Sequence, residues 1–131
     1  MVIFLAHFKI KPDKVSDFFE FWRKVITIED RTDMIGEFLC EVKSKEDLKY
    51  ITWTGLSSSA IGTSNEGYKS FLHVSMWKSV EAFESQVAHH FNDTAPLRPF
   101  EQERRVRTMT QPRLWRMGDT ALPLHDSGGV L

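Results

Sequence analysis

The chain has 131 residues, of which 41% are hydrophobic and 27% charged, a length that as a prior means one domain with its own core. Its 17 basic and 18 acidic side chains leave a formal net charge of −1; nothing in this total argues for nucleic acid or an anionic membrane, and neither is expected as a partner. The single cysteine, Cys40, excludes an intrachain disulfide and a cysteine-built zinc site.

Residues 2–11 read as a first strand, apolar at nearly every position, as in a central strand covered on both faces. This run is too short for a membrane span. It has neither a basic flank before it nor a cleavage site after it, so the expected location is cytoplasmic. Pro12 then removes a ladder donor, and Asp13 can cap a helix over 14–29. In that helix Val15, Phe18, Phe19, Trp22, Val25 and Ile26 form one apolar stripe, with Phe21 and Ile28 off it and expected to be exposed or to meet a partner chain.

Residues 36–43 form a second strand, where Cys40 reads as a small buried residue. Residues 50–54 form either another strand or the continuation of the second after a bulge. The stretch 55–67 is rich in Gly, Ser, Thr and Asn and reads as a long surface loop, either a lid or a mobile connection. A strand over 68–77 runs directly into a second helix. Ser79 is its N-cap, Glu81 lies in its first turn, and Val80, Phe83, Val87 and Phe91 form its buried stripe. Two prolines break the chain over 92–99. A last strand over 103–117 is interrupted near Pro112, and 118–131 is a tail without periodicity.

The order is βαββαβ, an α+β ferredoxin-like sandwich over residues 1–117 followed by the tail. Both helices cover one sheet face. The other face is bare, yet the first and third strands are too apolar to stay wet, so a homodimer packed sheet to sheet is expected.

Four histidines can carry chemistry. The first and third strands are antiparallel neighbours whose middles meet, so His7 and His73 can face each other, as a general base for a phenol or as metal ligands. Each can equally be a satisfied polar residue on a mixed face. Of His89 and His90, adjacent on a helix, at most one faces the sheet. Trp77 reads as a core-edge residue or as a ligand-stacking wall, and Trp53 as a strand residue or part of the same lining. Arg104, Arg105 and Arg107 alternate faces on the last strand, and one of them can bind an oxyanion in the cavity. Pairing with acids of a partner subunit is the other reading. No dinucleotide fingerprint, P-loop, HExxH or GxSxG motif is present.

The block FLHVSMWKSVEAFESQVAHH resembles the strand–Trp–helix block of the antibiotic biosynthesis monooxygenase-like family, the dimeric α+β barrels. The opening VIFLAHFKIKPDKVSDFFEFWRKV is similar in layout to the family's first half. Trp77 and the Glu81-Ala82-Phe83 run are the most specific parts of this likeness, which spans roughly residues 2 to 117. The resemblance implies a monooxygenase-like protein acting on or binding a small aromatic compound without an organic cofactor. The implied roles are His7 or His73 as base, Trp77 as a pocket wall, and Arg105 or Arg107 with Trp53 on the substrate. The family also holds members with no known activity, which implies a non-enzymatic stress or interaction protein as an alternative. Its haem-degrading members imply another: Trp77 matches their Trp and His89 or His90 lies near their iron ligand, while His7 stands where they carry Asn.

Overall fold

Alternation along the strands sets the architecture. The structure, a computed structural model, describes residues 1–25, 31–43, 67–88, 95–116 and 118–120. Strand β1 is Val2–Ile10. A 3-10 turn, Pro12–Lys14, leads into helix α1, Val15–Val25. Strand β2 is Met34–Glu41 and strand β3 is Lys69–Trp77. Helix α2, Val80–Phe83, continues as a π-turn over Glu84–Ala88. A second 3-10 turn, Ala95–Leu97, precedes strand β4, Glu101–Thr110.

The four strands form one antiparallel sheet in the order β2-β3-β1-β4. This α+β arrangement is compatible with a ferredoxin-like sandwich. Val2, Phe4, Ala6, Phe8 and Ile10 of β1 are all buried against Phe18 and Trp22 of α1 and Phe83 and Val87 of the α2 segment. Direct partners share a face, so Phe71, His73, Ser75 and Trp77 lie on this helix side with them. The intervening residues Ile3, Leu5, Leu72, Val74 and Met76, together with Phe38 and Cys40 of β2, line the opposite, open face and are only partly covered.

Phe18 is the hub of the helix-side core, with ring centroids 5.4 Å from Phe8, 5.9 Å from Trp22 and 5.8 Å from Phe71. Four local expectations are corrected. Asp13 is not a cap: Lys11 takes that position without a side-chain bond, and Pro12 opens the turn with its fixed φ. Phe21 is not exposed; its ring lies 5.3 Å from Phe100, which returns beneath α1 as the chain approaches β4. Val80 is 40% exposed because it is the first residue after the cap, outside the stripe that Phe83 and Val87 hold. The last strand ends at Thr110, before Pro112, and Leu114 and Trp115 beyond it are exposed.

The expected strand over 50–54, nearly all of the 55–67 loop, Ile26, Ile28, Phe91 and most of the 118–131 tail lie outside the described residues.

Candidate functional site

On β3 the apolar, helix-facing positions are interrupted by two polar ones, His73 and Ser75. His73 sits opposite Leu39, and Glu37 sits opposite Ser75 one step along the same face of β2. This diagonal neighbour reaches back, so His73 Nε2 and Glu37 Oε1 are 2.7 Å apart. The imidazole is wholly enclosed, at 0% exposure. Trp22 meets it edge-on at 4.8 Å between ring centroids, and Phe4 at 5.8 Å. A buried polar group of this size is tolerated only with a partner, and the carboxyl group supplies one. With Nε2–H donated to Glu37, the basic lone pair of a neutral His73 lies on Nδ1. This is a carboxylate-oriented imidazole in an aromatic surround, the arrangement that prepares a histidine to take a proton.

Trp77 closes the same face at the end of β3. It has no exposed surface, its Nε1–H donates to Ser75 Oγ at 3.0 Å, and its ring meets Phe83 edge-on at 6.1 Å. Trp77 thus belongs to the packed helix-side layer, two strand positions beyond Ser75 and four beyond His73.

His7 does not join them. It pairs with Leu72, one residue out of step with His73, and that single step puts its side chain on the open face. The expected face-to-face pair of imidazoles is therefore corrected: the two histidines occupy opposite sides of the sheet. His7 is hydrogen-bonded through Nε2 to Ser70 Oγ at 3.0 Å, and both residues are buried. Burial holds the imidazole below its ordinary pKa; Lys9 acts in the same direction and Glu103 opposes it. Lys9 Nζ in turn bonds Glu103 at 2.9 Å and lies 5.7 Å from the Tyr68 ring centre.

The three arginines of β4 do not simply alternate. Val106 pairs with His7 and Glu103 with Lys9, so three steps on β4 match two on β1, a bulge that holds Arg104 and Arg105. Arg105 turns to the helix side, where its guanidinium lies 5.2 Å from the Phe8 ring centre and donates to Glu101 at 2.6 Å. Glu101 also accepts the Arg105 backbone N–H at 3.0 Å and so closes the bulge. Arg105 is thus already engaged with a carboxylate of its own chain, which differs from the expected substrate contact. Arg107, opposite Ala6, and Arg104 are exposed. Trp53, His89 and His90 lie outside the described residues.

Glu37, Ser75, Ser70 and Glu101 are the polar partners that the sequence reading missed. The usable signal was a polar residue at a position where strand alternation demands an apolar one, as at Ser75. Glu37 carried no such signal, because Glu37 and Glu41 alternate with Phe38 and Cys40 along β2 as the residues of a wet face would. No family model matches this chain, and no curated protein matches it.

Proposed function

We propose that this chain is an oxygenase-like protein that binds a small electron-rich aromatic compound, a phenol or quinol, on the helix side of its sheet and acts without an organic cofactor. The resemblance of residues 2–117 to the antibiotic biosynthesis monooxygenase-like family supports this reading. The single observation that carries it is the His73–Glu37 couple, 2.7 Å apart in an aromatic surround. His73 takes the phenolic proton, and Glu37 steadies the imidazolium that forms. The phenolate then gives one electron to dioxygen. Superoxide and the aryl radical combine, and loss of water leaves the quinone, so dioxygen supplies both the oxidant and the inserted oxygen. Trp77 bounds the site, and the molecule works as a homodimer joined through its open face.

Dioxygen uptake with a panel of naphthols and hydroquinones tests this. Uptake by the wild type should fall on the order of a hundredfold or more in His73→Gln, the usual scale for losing a general base. Equal rates in the two proteins, or no uptake with any member of the panel, would overturn the reading.

A second reading is a non-enzymatic protein of the same fold. The full enclosure of His73 and Trp77 favours it, since both side chains then serve the core alone. Haem binding through His89 or His90 is the third reading. A Soret band shift with haemin that is lost on changing those histidines would support it. His7, on the face opposite Trp77, gives this third reading no help.

A further inference from the structure

The open face of the sheet is apolar but not uniformly so. Ile3, Leu5, Leu72, Val74 and Met76 form an apolar run along the two central strands, and one imidazole, His7, lies at its edge beside Leu72, with Lys9 and Ser70 beyond it. Val106, its direct partner on β4, is 59% exposed, so the apolar character continues outward. Few charges reach this face among the described residues. From β1 comes Lys9, and from β4 comes Glu103, already joined to it at 2.9 Å. Tyr68 contributes a phenol beside Lys9, ahead of β3. Cys40 of β2 contributes a thiol that burial pushes towards its neutral form. Arg104, exposed in the β4 bulge, stands at the rim.

These charges decide what such a face can meet. Its Lys9–Glu103 ion pair is internally neutralised, and its thiol, phenol and imidazole carry no charge near neutral pH. Two copies brought together across a two-fold axis therefore meet without like-charge repulsion at their centres. His7 is the exception held in reserve. Among the described residues of this face it is the one group whose charge changes in the mildly acidic range.

We infer that the open face associates with a second copy of itself only while His7 is uncharged, so that mild acid separates the two chains. The inference rests on the homodimer proposed above and adds its regulation. Protonating His7 puts a cation beside Lys9 inside an apolar contact, twice per dimer. The Ser70 hydroxyl can turn to accept from the imidazolium, but it cannot neutralise it. By linkage, the form that excludes the proton is favoured above the pKa of free His7 and loses ground as pH falls below it.

Sedimentation at about pH 7.5 and about pH 5 reads this directly. The dissociation constant of the wild type should rise on the order of tenfold or more at the acid pH, since two protons are taken up per dimer. His7→Gln keeps a side chain that can bond Ser70 and has no charge to gain, so its dimer should ignore the change. A wild type that is monomeric at micromolar concentration at about pH 7.5 would defeat the homodimer reading itself. A dimer with the same affinity at both pH values, or a His7→Gln dimer as acid-sensitive as the wild type, would overturn the inference alone. If His7→Gln does not fold, a proton NMR titration of the wild-type histidines decides. Reciprocity requires the His7 pKa to fall as protein concentration rises, and a concentration-independent value would refute the inference.

Discussion

Glu37 is the residue on which the interior imidazole depends. Removing one partner of a buried hydrogen bond strands the other, so Glu37→Ala should cost about 2–3 kcal/mol of stability. Glu37→Gln retains a hydrogen-bonding oxygen and should cost less, about 1–2 kcal/mol. Urea unfolding of the two variants gives the comparison, and similar losses in both would mean that the carboxylate itself, not the bulk of the side chain or a neutral hydrogen-bonding oxygen, holds the site. Trp77→Phe keeps most of the apolar volume but deprives the Ser75 hydroxyl of its donor. It should lower the melting temperature, by about 1–3 kcal/mol in stability, and leave ligand affinity per folded molecule unchanged if Trp77 is core alone. A drop in affinity at unchanged melting would assign it to the binding wall instead. His73 was recognisable as a candidate from its place in an apolar strand. Its partner was not, because a separation of 36 positions along the chain between Glu37 and His73 says nothing about which diagonal of which strand pair will meet. The misplacement of His7 has the same root: neighbouring strands can be foreseen, but a one-residue offset in their register exchanges faces.

At the level of elements, the strand-to-helix passage after Trp77 was the most legible part of the chain. Ser79 accepts the Ala82 backbone N–H at 3.1 Å, as its position before Val80-Glu81 suggested. Ser79→Ala should therefore cost about 1 kcal/mol, measurable as a lowered urea midpoint with an unchanged slope. The helix it starts is shorter than its stripe implied. Regular α pitch lasts four residues before the π-turn begins, and one widened turn still leaves Phe83 and Val87 on the buried side. Apolar spacing cannot tell these two pitches apart over so few residues. The β4 bulge was likewise invisible, since three consecutive charged residues, Glu103, Arg104 and Arg105, offer no alternation to read. Glu101 is what resolves it, by holding both the backbone and the guanidinium of Arg105.

For the whole molecule, the order of elements and the one-sided helix layer followed from hydrophobic periodicity, because burial of one face is what periodicity records. Which polar groups end up together did not follow, because long-range register has no local signature. Among the described residues no helix is long and apolar enough to cross a membrane. The central strands are where the two sides of the sheet are written over one another. Along β1 the even-numbered residues, Phe4, Ala6 and Phe8, answer to the helices, and the odd-numbered Leu5, His7 and Lys9 answer to whatever lies across the open face. Along β3 the parity is reversed, with Phe71, His73, Ser75 and Trp77 inward and Leu72, Val74 and Met76 outward. The chain therefore carries two histories interleaved at every second position. Among relatives of this protein, exchanges at 4, 6, 8, 71, 73 and 75 should vary together, and those at 5, 7, 9, 70, 72 and 74 should vary together. Either set should be free to drift while the other stands still.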